Sequence, residues 1–184
     1  MKSNSVSQAV VAPYADALIS LAQEQNSLDA IARDVRLIGD TLSDSVELSQ
    51  LFASPLIGEN VKKGVIESVF GSQVSALTKS FLLLLVDRKR IAFLSEIVKQ
   101  FQSLLRVIDG VALAEVTSAF QLSRAQEDSL RDRVKKLTGA KAVELSITVN
   151  SDLIGGVIIK VGSQVVDASI RGQLRRIKSS LAAA

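Results

Sequence analysis

The stretch Phe101-Gln102-Ser103-Leu104-Leu105-Arg106-Val107-Ile108-Asp109-Gly110-Val111-Ala112-Leu113-Ala114-Glu115-Val116 contains the change of pattern that decides the fold. Up to Val107 the apolar residues keep the spacing of a helix face, and from Gly110 onward short alternating runs begin, as in strands. The boundary this sets at Asp109-Gly110 separates an N-terminal domain, residues 1–108, from a C-terminal domain, residues 109–184. Charge divides at the same place. Residues 1–108 carry eleven Lys/Arg and eleven Asp/Glu, so the net charge of +3 belongs entirely to residues 109–184.

Upstream of the boundary the chain reads as helices joined by short loops. Ser5 with Gln8 resembles a capping box, and Val10, Tyr14, Ala17, Leu18 and Leu21 form an apolar stripe around Pro13, which either starts the regular helix or kinks one begun earlier. Ser27 is placed to cap a second helix with Leu28, Ile31, Val35, Ile38 and Leu42 inward. A short helix over Val46–Phe52 stops before Pro55, because the residue before proline is pushed out of the α region. Val61, Val65, Ile66, Val69 and Phe70 mark a fourth helix ended by Gly71, a fifth runs from about Gln73 to Asp87, and a sixth from Ile91 to Val107. The expected architecture is a six-helix bundle.

Downstream the elements are mixed. Gly110–Ala119 reads as a strand, and Ser123 with Gln126 gives a capping-box signal before an amphipathic helix to Leu137. Val143, Leu145, Ile147 and Val149 alternate with polar residues, as in a strand buried on one face. Val157–Val161 and Gln164–Asp167, joined by Gly162-Ser163, form a β-hairpin. A last helix carries Ile170, Leu174, Ile177 and Leu181 on one face, and Arg171, Arg175, Arg176 and Lys178 elsewhere. The fold class is therefore mainly α, with a small mixed α/β C-terminal domain containing a hairpin.

Composition narrows the function. The chain of 184 residues has no Cys and no His, which excludes disulfides, thiolate metal sites, Cys nucleophiles, Ser-His-Asp triads and zinc-hydrolase chemistry together. No phosphate-binding loop is present: Gly58 and Gly64 come nearest, but Val65 stands where the lysine is required. Gly155-Gly156 reads as a turn or bulge instead of a dinucleotide fingerprint. The acidic pairs Glu127/Asp128 and Asp40/Asp44 read as solvated helix faces, and Asp87-Arg88-Lys89-Arg90 as a charged helix end. No catalytic residue, cofactor or metal is expected. The longest apolar run, Phe81–Val86, is far short of the ~20 residues that cross a bilayer, and the N-terminus has no secretory or transit pattern, so synthesis and function on one side of a membrane are expected.

That same run, Phe81-Leu82-Leu83-Leu84-Leu85-Val86, passes through about 600° of helix and so covers every face. Either it is the central helix of the bundle or another chain covers one side. Small residues in the first helix's broad apolar arc, Val10, Val11, Tyr14, Ala17, Leu18, Leu21 and Ala22, would let a partner helix pack closely in a groove shared with the fifth helix. The basic C-terminal half suggests an alternative, a nucleic-acid-binding helical module with steep salt dependence, although residues 121–184 hold no aromatic side chain to stack on bases.

Two stretches carry a family resemblance that covers essentially the whole chain. Ala12-Pro13-Tyr14-Ala15-Asp16-Ala17-Leu18 resembles the opening motif of the delta subunit of F-type ATP synthases, the family that includes the mitochondrial oligomycin-sensitivity-conferring protein. Ile154-Gly155-Gly156-Val157-Ile158-Ile159-Lys160-Val161-Gly162, followed by Asp167-Ala168-Ser169-Ile170-Arg171-Gly172-Gln173-Leu174, is similar to the family's longer and more specific signature. The likeness is closer to the bacterial and chloroplast type, of the cyanobacterial kind. It implies a non-catalytic stator subunit, a monomer within a hetero-oligomer. The helical domain would bind N-terminal helices of alpha subunits in the catalytic head, and the C-terminal domain would join b-type subunits of the peripheral stalk. The implied location is peripheral, on the cytoplasmic or stromal side of an energy-transducing membrane such as the thylakoid, with no direct insertion and no nucleic acid. The family's groove falls on Tyr14, Ala17, Leu18 and Leu21 facing Leu84 and Leu85. The C-terminal signature and stalk joint fall on Gly155, Gly156, Asp167, Arg171, Gly172 and Arg175, with the Ile170, Leu174, Ile177 stripe expected against the sheet and basic positions toward the stalk.

Overall fold

Spacing of apolar residues accounts for most of the helices in the computed structural model, which describes residues 3–175, with side chains from residue 9 onward. The chain forms two compact units, Met1–Leu105 and Arg106–Ala184.

In the first unit, α1 spans Ser3–Glu24 and contains Pro13, so the helix is under way before the proline and Ser5 lies inside it instead of capping it. Asn26, in the left-handed region at φ 50°, ends the helix, with the Ser27 N–H donating to the Ala22 carbonyl at 2.9 Å. α2 covers Leu28–Asp44 and buries Ile31, Ala32, Val35, Ile38 and Leu42 along one face. Ser27 occupies its N-cap position, but the hydroxyl makes no capping bond and is buried without a partner, contrary to the capping role expected of it.

α3 (Val46–Ala53) is capped by Ser45, whose hydroxyl accepts from the Leu48 N–H at 3.1 Å. α4 follows over Glu59–Phe70, and α5 covers Ala76–Asp87. α5 starts later than its apolar pattern suggests because Asp34 on α2 fixes its first turn, accepting from the Ser75 N–H at 2.9 Å and the Thr78 hydroxyl at 2.7 Å. A 3-10 turn, Ile91–Phe93, leads into α6, Leu94–Asp109. Phe52, Phe70 and Phe101 are fully buried among Ile31, Ile66, Ile97, Leu82 and Leu85, which makes this the larger core.

The second unit is a four-stranded sheet with a helix on one face. β1 (Val111–Ser118) crosses over through α7 (Arg124–Thr138) to β2 (Ala142–Val149), which pairs parallel to it, as a βαβ connection requires. β3 (Val157–Val161) pairs antiparallel with β1, and β4 (Gln164–Asp167) closes the hairpin, giving the order β2-β1-β3-β4. The capping box at α7 forms as its spacing implies: the Gln126 N–H donates to the Ser123 hydroxyl, and the Ser123 N–H to the Gln126 side chain at 2.9 Å. Ala114, Val116, Leu130, Val134 and Ile159 are the core of this unit. Residues 170–175, α8, are helical. The expected positions Arg176, Ile177, Lys178 and Leu181 lie outside the described residues.

Candidate partner-binding surfaces

α1 carries two adjacent apolar stripes with different fates. Val11, Ala15, Leu18 and Ala22 are buried in the unit's own core. Val10 and Tyr14 are half-buried, Ala17 is exposed and Leu21 is 41% exposed. Positions 10, 14, 17 and 21 recur at helical spacing, so they form one continuous open stripe. Leu18 is thus a core residue and not part of the open face. An apolar arc this broad cannot reveal from sequence which of its edges faces inward.

α5 resolves the question raised by its six-residue run. Leu82, Leu85 and Val86 are buried, Phe81 and Leu83 are half-buried, and Leu84 is 43% exposed. The helix therefore runs through the core while one edge stays open, and Leu85 belongs to the core instead of the groove. Leu18 of α1 and Phe81 and Leu82 of α5 line the same small internal cavity, so both helices contribute to one interior. Of the six expected groove residues, Tyr14, Ala17, Leu21 and Leu84 remain available to a partner in whole or part.

The C-terminal signature folds on itself. The Ala168 N–H donates to the Val157 carbonyl and the Ile170 N–H to the Gly155 carbonyl, each at 3.0 Å, tying the end of the hairpin back to the approach to β3. Asp167 Oδ1 accepts from the Ser169 N–H at 2.9 Å and from the Ser169 hydroxyl at 2.6 Å. Ser169, fully buried, then accepts from the Gly172 N–H at 3.0 Å and so caps α8. A side chain at Gly172 would fall on the Asp167 carboxylate, and one at Gly156, where φ is +78°, would fall on the Ala168 carbonyl. Gly155 is buried beneath Ile170.

Gly155, Gly156, Asp167 and Gly172 are thereby brought together to build the turn. Arg171 and Arg175 are exposed, with Arg175 3.7 Å from Asp167. Ser169 is the central residue of this turn that the sequence reading passed over. Its signal was there in the Asp167-x-Ser169 pattern immediately ahead of a helix. Ile170 and Leu174 are 44% and 54% exposed, so their stripe is only partly covered, with Ile170 lying over Gly155 at the approach to β3. The same unit exposes Ile154, whose β-branched side chain is held at a left-handed φ of 67°. Among the described residues no helix is long and apolar enough to cross a membrane.

A family model described as ATP synthase delta (OSCP) subunit matches residues 10–181. The chain is 47% identical over 184 residues to the ATP synthase subunit delta of Synechocystis sp., covering 100% of both chains. It is 47% identical over 181 residues to that of Gloeothece citriformis, covering 98% of each. To that of Synechococcus elongatus it is 50% identical over 171 residues, covering 93% of this chain and 95% of the relative. In fold it is similar to a chain in the mitochondrial ATP synthase hexamer of Toxoplasma gondii, with a TM-score of 0.77 at 23% identity, covering 94% of this chain and 97% of that one.

Proposed function

This chain belongs to the ATP synthase delta (OSCP) subunit family, and from that membership we propose that its two units are the two ends of a joint between the catalytic head and the peripheral stalk. As a member of that family it is a non-catalytic stator component of an F-type ATP synthase, and its partners are other subunits of that complex. This sets aside the nucleic-acid-binding module. Rotor torque would turn the head unless something holds it, and holding requires a firm contact instead of a reaction.

In this reading an amphipathic N-terminal helix of an alpha subunit lies along Val10, Tyr14, Ala17 and Leu21 of α1 and covers Leu84 of α5. The observation that carries it is the second apolar stripe of α1, which the chain's own core leaves partly uncovered. Covering each half-exposed leucine would contribute roughly 1 kcal/mol, and Ala17 leaves room for a helix to approach closely. The C-terminal unit meets the b-type stalk through exposed positions at its signature end, Ile170, Arg171, Leu174 and Arg175, while Gly155, Gly156, Asp167 and Gly172 hold that end in shape. The complex would place the chain on the cytoplasmic or stromal side of the thylakoid membrane.

The division of labour is testable by truncation. A chain ending at Asp109 keeps α6 whole and removes every strand. It is expected to bind the catalytic head and to lose the stalk subunits, measured by co-sedimentation with each. Retention of both contacts would contradict the assignment.

A further inference from the structure

Four residues of α5 are buried, Thr78, Leu82, Leu85 and Val86, and Thr78 alone among them is polar. Turning the helix about its axis by one residue, about 100°, would put Leu77, Phe81, Leu84 and Leu85 in their places. All four are apolar, so hydrophobic burial does not by itself favour the setting observed. The second setting would carry Leu84 inward and bring Val86 to the place that Asp87 holds at the surface. Turning the helix the other way would drive Lys79 and Asp87 into the core, where unpaired charges are too costly. Apolar packing therefore leaves two settings for α5, and only one of them presents Leu84 to a partner.

Hydrogen bonds separate the two. The hydroxyl of the buried Thr78 donates to Asp34 Oδ2 of α2 at 2.7 Å, and the Ser75 N–H donates to the same oxygen at 2.9 Å. With its hydrogen used there, the Thr78 hydroxyl oxygen accepts from the Ser75 hydroxyl at 3.0 Å. Ser75 in turn caps the helix, accepting from the Thr78 N–H at 3.3 Å. Asp34 thus grips both the first turn of α5 and the polar member of its buried stripe. In the second setting Leu77, which has no hydroxyl, would take the place of Thr78, and the half-buried Asp34 carboxylate would lose a charge-assisted bond. Two ion pairs also tie α5 to α4, Lys79 with Glu67 and Asp87 with Lys63, but they stand partly in water, where such pairs contribute little.

Resting on the reading of Leu84 as a residue covered by the alpha-subunit helix, we propose that Asp34 is a positioning residue for that face. Through Thr78 it selects the setting of α5 in which Leu84 stands outward. A buried polar contact acts here as a specifier of arrangement, in the way a single polar residue fixes register in a coiled coil. Without it α5 stays helical and covered by apolar contacts, but is divided between two settings.

The chain has no cysteine, so a single introduced thiol reports on the helix alone. In the full-length protein the thiol of Leu84→Cys is expected to react with a water-soluble maleimide about a hundredfold faster than that of Val86→Cys, a small change of volume at a buried position. That ratio should fall about tenfold or more when Asp34→Ala or Thr78→Val is added, because the second setting exchanges the exposure of the two positions. Asp34→Asn keeps an oxygen able to accept both bonds and should hold the ratio within about threefold of the parent. Ile31→Val, a truncation on the buried face of α2, lowers stability without touching the clasp and should leave the ratio unchanged. A ratio unaltered in Asp34→Ala, or one that falls as far in Ile31→Val or Asp34→Asn, would overturn the proposal. Calorimetric binding of a peptide of the alpha subunit's N-terminal segment, without the added thiols, tests the reading beneath it. Affinity about tenfold weaker in Asp34→Ala and recovered in Asp34→Asn supports both. A fallen ratio with unchanged affinity would leave Asp34 setting α5 and remove Leu84 from the partner's footprint.

Discussion

Leu85→Ala is expected to destabilise the helical unit by about 3 kcal/mol, while Leu84→Ala, one residue earlier, costs less than about 1 kcal/mol. The two side chains are chemically identical and differ only in where the helix turns them. Leu85 is wholly enclosed, so its truncation removes buried methyl groups and leaves a cavity in the unit's core. Leu84 is 43% exposed, so truncation there removes little that the folded chain has taken from water. Urea unfolding followed by far-ultraviolet circular dichroism measures both. The cost of changing Leu84 should instead emerge in assembly, where it loses its cover from the partner. Equal destabilisation by the two substitutions would contradict the orientation assigned to α5.

Gly156→Ala is expected to destabilise the C-terminal unit by about 3 kcal/mol, combining a left-handed φ with a steric collision. The added methyl group would meet the Ala168 carbonyl oxygen and lie 3.0 Å from the Ser169 Cα. These are backbone atoms and cannot rotate away as a side chain can. Gly162 gives an internal control: its φ is +57°, but nothing lies within 4 Å of an added methyl group, so Gly162→Ala should cost only about 1 kcal/mol. Hydrogen exchange reads the difference locally. The amides of Ala168 and Ile170, which bond to Val157 and Gly155, should exchange about a hundredfold faster in Gly156→Ala, with α2 and α6 unaffected. Unchanged protection at those amides would remove the signature glycine from its structural role.

The parts legible in the sequence were those set by local chemistry. Ile31, Val35, Ile38 and Leu42 announce α2 because a helix needs only its own spacing to be recognised, and Ser123 with Gln126 forms its capping box from neighbours alone. The hairpin follows in the same way from two apolar runs around Gly162-Ser163. Long-range contacts were not legible. The beginning of α5 depends on Asp34, more than forty residues earlier, and the parallel pairing of β1 with β2 depends on how α7 crosses over. The candidate surfaces fall between these cases. Six successive apolar residues in α5 cannot say which of Leu84 and Leu85 faces outward, nor can the arc of α1 separate Leu18 from Leu21. In the signature, the sequence places Asp167 in the motif but does not reveal its hydrogen bonds to Ser169, which make it the start of a helix cap.

The stator joint itself is tested most directly by calorimetric titration of the full-length chain with a peptide of the alpha subunit's N-terminal segment, beside Ala17→Asp. Ala17 is exposed, so the substitution should leave folding intact and place a carboxylate where the partner's apolar face must dock. Saturable binding by the parent chain, weakened about thirtyfold or more in a folded Ala17→Asp variant, is the expected result. No binding by the folded parent chain, or equal binding by both, would contradict the joint proposed at α1.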